Sequence, residues 1–223
     1  MKRKEKKNKF KKVMTIFIII FVIALLVAYL LDINTKNIVI LNNDYYTDED
    51  IIEAANIEDY PKFVLLNTSK IKKNLKALDL IKDVKVKKKL GFVLEITVEE
   101  EKLLYFIRSK DEYMASNYKT YKLKNVSGVP TLINFVPENV EKGFVKEFSK
   151  VDKKIISLVS EIEYSKTAYD KKRFLLFMND GNEVYITVTK TDVLNKYIDI
   201  VKKLSNKNGI LYLDSGNYFE IKK

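Results

Sequence analysis

One uninterrupted apolar run near the N-terminus constrains this chain more than any other feature. Val13 to Leu31 contains no charged residue, no Gly and no Pro. As an α-helix rising ~1.5 Å per residue it is about 28 Å long, which matches the hydrocarbon core of a bilayer. A buried core helix is rarely apolar on every face, and a cleaved signal peptide has a shorter apolar run followed by small residues. The sequence therefore predicts an uncleaved, single-span transmembrane helix over residues 13–31.

Basic residues before this run predict its orientation. Residues 1–12 carry eight Lys or Arg, among them Lys9, Lys11 and Lys12, against one acid, Glu5. Positive charge is retained on the cytoplasmic side of a membrane. We therefore expect a cytoplasmic basic tail over 1–12, whose Lys9, Lys11 and Lys12 contact lipid headgroups. The chain from Asp32 onward is expected to lie outside the cytoplasm, anchored in the cell membrane.

Composition narrows the classes of function. The formal net charge of +11 comes largely from the basic tail. After the run, basic and acidic residues nearly balance and the aromatics fall in strand patterns, so we expect no nucleic-acid partner. The absence of Cys and His excludes Cys–His pairs, serine triads and His-ligated zinc. We expect no enzyme, cofactor or metal site, although carboxylate pairs and Ser–Lys dyads remain formally open.

Periodicity after the membrane run predicts a small domain over residues 36–101. A β run at 36–41 precedes a helix that begins at Thr47 and ends at Asn56. A second helix opens at Asn67, and two strands of period two follow on either side of the turn Leu90–Gly91. The order β-α-α-β-β lets one sheet bury its apolar face under two amphipathic helices.

Residues 102–223 predict a second domain, with a mainly antiparallel sheet, so that the fold class is α+β throughout. One continuous helix is expected from Glu138 to Ser160, and an amphipathic helix from Asp192 to Leu204. Strands are expected at 103–107, 113–115, 119–123, 129–133, 173–178, 183–188, 210–214 and 218–221.

Several of these segments resemble a known family. The Thr47–Ile52 helix start, the Phe63–Thr68 link and the strands Ile81–Val86 and Leu94–Glu100 resemble a POTRA domain. A basic tail, one span and such a domain together resemble the FtsQ/DivIB family of bacterial cell-division proteins. The resemblance continues in the second domain, where an apolar strand is followed by Asp-Gly and Glu-Val.

The sequence departs from the family pattern at two places. Asn42-Asn43 stands where the first strand of the family usually ends at Gly, and Asn also tolerates the left-handed conformation. Asp214 is followed by Ser215, where the family commonly has an Arg.

The resemblance implies a scaffold at the division septum. Family members bind FtsL-type and DivIC/FtsB-type single-span proteins, and through them help control the septal peptidoglycan synthase. A strand near the C-terminus accepts a partner segment by β-addition, because an edge strand offers unpaired N–H and C=O groups. We therefore expect partner contacts at Tyr212, Asp214, Tyr218 and Phe219. Ordinary core packing of these aromatics is the alternative.

Two alternatives stay open at the level of sequence. The chain could instead be a membrane-anchored extracytoplasmic binding module of another envelope pathway. The basic strand end formed by Lys85, Lys87, Lys88 and Lys89 could face lipid headgroups or an acidic partner, or could simply be solvated.

Overall fold

A computed structural model describes residues 2–123, 126–204 and 207–222, with side chains described from Phe10 onward. The chain forms two units, which divide between Glu100 and Glu101. The side chain of Lys9, one of the predicted headgroup contacts, lies outside the described residues.

The apolar run forms one long helix, α1, from Lys2 to Asp32. Its segment Phe10–Asp32 is long and apolar enough to cross a membrane, and none of it is buried by the rest of the protein. Thr15 satisfies its hydroxyl within the helix by donating to the carbonyl of Lys11 at 2.9 Å. The predicted helix is therefore confirmed, and it continues N-terminally into the basic tail.

The first unit continues with the predicted β-α-α-β-β order. Its elements are β1 (Asn37–Leu41), α2 (Asp48–Ala55), α3 (Thr68–Leu75), β2 (Ile81–Lys89) and β3 (Val93–Glu100). In the sheet the central strand is β3, which is parallel to β1 and antiparallel to β2. Buried Ile51 and Leu75 from the helices pack with Val84, Leu94 and Ile96 from the sheet.

Asx and hydroxyl chemistry sets the helix boundaries in this unit, as the sequence predicts. The Thr47 hydroxyl accepts the Asp50 N–H at 3.2 Å, and the Asp50 carboxylate accepts the Thr47 N–H at 2.8 Å, which completes a capping box. Asn56 ends α2 with a left-handed φ of 56°. Asn42 adopts φ 64° after β1, so Asn supplies the conformation that Gly would otherwise give.

The second unit contains the longer sheet. Its strands are β4 (Leu103–Ile107), β5 (Glu112–Ala115), β6 (Thr120–Tyr121), β7 (Thr131–Leu132), β8 (Val159–Tyr164), β9 (Arg173–Met178), β10 (Glu183–Thr187), β11 (Gly209–Tyr212) and β12 (Tyr218–Ile221). Within the described residues the order is β12-β11-β10-β9-β8-β7-β4-β5-β6. Five of the neighbouring pairs are antiparallel, and β10–β11, β4–β7 and β7–β8 are parallel. The prediction of a mainly antiparallel sheet is confirmed.

The prediction of one helix from Glu138 to Ser160 is wrong. The chain forms α4 (Glu138–Phe148) and a short α5 (Lys153–Ile156), and Val159 begins strand β8. Asp152 adopts an extended conformation (φ −58°, ψ 138°) that separates the helices. Buried residues at 144, 148, 151 and 155 keep a helical spacing, but Val151 is buried in a turn and Val159 in the sheet.

The helix predicted over 192–204 is also divided. A 3-10 segment covers Val188–Lys196, with a kink at Lys190, and α6 covers only Tyr197–Lys203. The buried hydroxyl of Thr191 donates to the carbonyl of Val188 at 3.0 Å, which tightens the first turns. In this divided segment Ile198 is 40% exposed, whereas Ile200 packs against the core.

Replacing Thr47 with Ala should destabilise the start of α2. Loss of the side-chain cap is expected to cost about 1 kcal/mol in the free energy of unfolding of this unit. Hydrogen exchange of the amides at 48–55, measured on the full chain in detergent with increasing urea, would report the loss. The exposed helical residue Ser69, changed to Ala, is the control, and equal protection in the two variants would contradict the role of the capping box.

Candidate partner-binding edge

The sheet of the second unit ends at β12. Within the described parts of the chain, β12 pairs with β11 alone, whereas β11 lies between β12 and β10. Both C-terminal strands expected from the sequence, 210–214 and 218–221, carry predicted partner contacts, but only the second lies at the edge of the sheet. This order follows from the connections. The 3-10 segment and α6 bring the chain back so that β11 lies parallel to β10, and β12 then turns back beside β11.

The register shows which backbone groups of β12 point to the open side. Lys222 donates its N–H to the Asn208 carbonyl at 3.3 Å, one position beyond the register pair Gly209–Ile221. Antiparallel pairs alternate between hydrogen-bonded and non-hydrogen-bonded positions. Glu220 and Tyr218 therefore bond inward to β11, while Phe219 and Ile221 direct their N–H and C=O groups outward. Among the described residues, Phe219 and Ile221 thus present their backbone N–H and C=O groups at the open edge.

One face of this edge carries a stack of planar side chains, which we call the ring ladder: Arg173, Tyr185, Tyr212 and Tyr218. The Tyr218 and Tyr212 rings are 4.3 Å apart at 12°, and the Tyr212 and Tyr185 rings are 5.2 Å apart at 22°. The Arg173 guanidinium lies 3.5 Å from the centroid of Tyr185. Tyr218 ends the ladder at the open edge and is 51% exposed.

The other face of β12 is divided between core and solvent. Phe219 is half-buried and packs against the core of the second unit. Ile221, two residues further on, is 53% exposed. Phe219 therefore packs in the core as well as lying in the edge strand. Core packing is the alternative that the sequence pattern left open for this residue.

Asp214 holds the end of β11 in place. Its carboxylate accepts the Arg173 Nε–H at 2.7 Å, and the side chains are only 9% and 15% exposed. Lys190 donates to the Asp214 carbonyl at 2.8 Å. The guanidinium that pairs with Asp214 thus comes from Arg173 on β9. The residue that follows Asp214 in the chain is Ser215, which has no guanidinium to offer. This burial suits Asp214 to positioning the edge, and its predicted contact with a partner stays a prediction.

Charged groups surround the ladder. Tyr212 donates its hydroxyl to Glu220 at 3.2 Å. Desolvation first, and this bond second, raise the pKa of the Tyr212 hydroxyl. Lys222 pairs with Glu183 across the sheet. The edge is consequently polar at its rim and aromatic at its centre.

Sequence reasoning missed the residues that bring β12 close to the sheet. A Cβ on Gly209 would lie 2.1 Å from the Glu220 carbonyl oxygen and 2.6 Å from the Phe219 ring, so only Gly fits there. The buried Asn182 accepts the Gly209 N–H at 2.9 Å and donates to the Tyr197 hydroxyl at 3.1 Å. In the sequence, Asn208-Gly209 is equally typical of the end of a helix, so the pair does not by itself indicate this close approach of two strands.

The remaining predicted contacts lie elsewhere. Lys11 and Lys12 are exposed on α1, in the first unit. Among the residues whose side chains are described, no cluster of His, Cys, Asp and Glu could hold a metal ion.

Comparison with known proteins agrees with this architecture. Residues 33–101 match the family described as POTRA domain, FtsQ-type. The cell division protein DivIB of Brevibacillus brevis is 27% identical over 94% of this chain and 83% of its own length. DivIB of Bacillus subtilis is 26% identical over 98% of this chain and 86% of its own length.

Over nearly its full length the chain is similar to DivIB cell-division proteins, and residues 33–101 match the FtsQ-type POTRA family. These relatives support a role in cell division, and within the described residues one helix, near the N-terminus, is long and apolar enough to cross a membrane. A solved structure, the major extracytoplasmic domain of the trans isomer of DivIB from Geobacillus stearothermophilus, is 21% identical, with a TM-score of 0.40 over 48% of this chain and 96% of that one.

Replacing Gly209 with Ala should displace β12. The overlap with the Glu220 carbonyl is expected to cost roughly 1–3 kcal/mol and to remove exchange protection from the amides of 209–212 and 218–221. Gly143 in α4 is the matched control, because a Cβ there meets Val188 at an ordinary 3.4 Å. Unchanged protection in the Gly209→Ala variant would show that the strand tolerates a side chain at this position.

Proposed function

We propose that this protein is a scaffold at the division septum, and that strand β12 binds a segment of another single-span division protein by β-addition. Proteins of the FtsL and DivIC/FtsB types are the proposed partners. Through them the protein would help control the septal peptidoglycan synthase, without being an enzyme itself. The observation that carries the proposal is the open edge of β12.

The geometry of the edge supports strand addition. Phe219 and Ile221 point their backbone groups outward, so an incoming strand can form up to about four main-chain hydrogen bonds. Main-chain bonds alone give little sequence specificity, which comes from side chains on the two faces. Tyr218 on one face and Ile221 on the other are both about half exposed and available for such contacts.

The ring ladder favours a fixed edge over a mobile one. Tyr218 is held by stacking on Tyr212, and Tyr212 is held in turn by Tyr185 and by its bond to Glu220. A side chain that is already ordered loses less entropy when a partner covers it. Tyr218 therefore meets the conditions for an interface hot spot: a large aromatic group, ordered in advance and accessible.

The membrane helix sets the proposed topology. The basic tail is proposed to remain in the cytoplasm, with Lys9, Lys11 and Lys12 at anionic headgroups of the inner leaflet. Both folded units would then lie outside the cytoplasm. The same features fit an anchored binding module of another envelope pathway, which is the competing proposal.

Replacing Tyr218 with Ala should weaken partner binding at least about tenfold, because the replacement removes the accessible end of the ring ladder. Binding of the full chain, in nanodiscs, to the FtsL-type and DivIC-type proteins of the same host would measure the effect. The matched control is Tyr169→Ala, since Tyr169 is fully exposed in the same unit. Equal affinity of the two variants, both folded by circular dichroism, would remove Tyr218 from the interface.

A fluorescent fusion of the full chain in dividing host cells tests the cellular role. The proposal expects a band at midcell that narrows with constriction, and weaker recruitment for a chain that ends before Tyr218. A uniform membrane signal through the whole cycle would favour the alternative binding module.

A further inference from the structure

Two loops of the POTRA domain lie against the end of the membrane helix. We call them the exit loops; they comprise Tyr60–Leu66 and Leu90–Phe92. Lys62 donates its ammonium group to the Asp32 carbonyl at 2.6 Å and to the Asp32 carboxylate at 2.7 Å. The Phe63 N–H donates to the Ile33 carbonyl at 2.9 Å, and the Lys36 N–H donates to the Phe92 carbonyl at 2.9 Å. Both loops are thus bonded to residues within a few positions of the end of α1.

Helix length places these contacts at the membrane surface. The candidate membrane span Phe10–Asp32 has 23 residues, and the uncharged run Val13–Leu31 lies within it. Such a helix is about 34 Å long, against a hydrocarbon core of about 30 Å. Its end at Asp32 therefore reaches the headgroup region. Val64 and Leu65 follow Phe63 by one and two residues, so their Cα atoms lie within about 8 Å of it.

The exit loops expose apolar side chains at this level. Leu90, at the tip of the β2–β3 turn, is 99% exposed, and Leu65 is 66% exposed. Val64 and Tyr60 are exposed to 43% and 42%. The domain's core is formed by other residues, which come from α2, α3 and the sheet. Exposure of this set of apolar side chains to water is unfavourable.

The two loops are fixed to each other. The Phe63 and Phe92 rings meet edge to face at 5.6 Å. Lys88 donates to the Val64 carbonyl at 2.9 Å and lies over the Phe63 ring, while Lys36 lies over the Phe92 ring. These contacts fix the positions of the two loops from which the apolar side chains project. The ammonium groups of Lys36 and Lys88 lie beside them.

Charge in this region is nearly balanced. Asp32 is paired with Lys62, and Glu95 with Lys89 at 3.2 Å. Glu58 and Asp59 are exposed, as are Lys36, Lys87 and Lys88, so the charged residues named near the loops comprise five basic and four acidic groups. Burial of the apolar tips, rather than attraction of net charge, is thus the dominant force available at this surface.

We infer that the exit loops insert Leu65 and Leu90 into the headgroup region of the bilayer that α1 spans, which docks the POTRA domain on the membrane surface. The bilayer is the occupant that the geometry favours, because the loops are bonded directly to the end of its transmembrane helix. Docking removes apolar side chains from water, and it leaves the lysine ammonium groups at the level of lipid phosphates. It also restricts the orientations that a single-span anchor would otherwise permit.

Site-specific labelling tests the inference, because the sequence contains no Cys. Leu65→Cys and Leu90→Cys, each carrying an environment-sensitive fluorophore, are reconstituted as full chains in phosphatidylcholine vesicles, with and without phosphatidylglycerol. We expect nitroxide lipids labelled near the headgroup to quench both probes several-fold more than a control probe, and iodide to quench them less. Because local charge is balanced, this difference should persist without phosphatidylglycerol.

The control probe is Leu41→Cys, on an exposed Leu at the other end of β1. It lies four residues beyond Asn37, or about 13 Å along the strand. Equal quenching of the three probes by lipid nitroxides would overturn the inference. Shielding of Leu65 and Leu90 that requires an added division protein would also overturn it, and would assign the exit loops to a protein partner. Changing Leu65 to Glu should increase access of iodide to the probe at position 90.

Discussion

The parallel pairing of β11 with β10 determines what the C-terminal end of the chain can present. A parallel neighbour cannot be reached by a tight turn, so the 3-10 segment and α6 must cross over the sheet. This crossover covers the core with Leu194 and Tyr197. Only then can β12 return antiparallel to β11 and become the edge. The open strand is therefore a consequence of how the core is closed.

Several interactions keep that arrangement in register. Asn182 binds the N–H of Gly209 at the start of β11, and Asp214 binds Arg173 just beyond its end. A buried ion pair adds little net stability compared with an apolar pair, but removing one partner leaves a costly unpaired charge. Arg173 and Asp214 therefore act mainly to specify the position of β11. The Arg173 guanidinium also stacks on the Tyr185 ring. The position of the ring ladder therefore depends on the same ion pair.

The elements that local chemistry determines could be predicted from the sequence. Thr47, Asn56 and Asn67 mark helix boundaries by hydrogen bonds to nearby backbone, and period-two alternation marks β2 and β3. The prediction failed where tertiary contacts chose between two periodicities. Val159 fits a helical spacing from Phe148 onward, yet it is buried as the first residue of a central strand. Local pattern holds no information about the gap between β7 and β9 that this strand fills.

The candidate site shows the same limit. The family resemblance drew attention to Tyr212, Asp214, Tyr218 and Phe219, but sequence could not show which strand is the edge or which way each side chain points. Strand alternation places Tyr218 and Glu220 on one face and Phe219 and Ile221 on the other, and the register decides which backbone groups are free. Gly209 has no side chain to suggest a function, and its role is visible only through the 2.1 Å approach of the Glu220 carbonyl. The geometry of this edge thus depends on residues that would not themselves touch a partner.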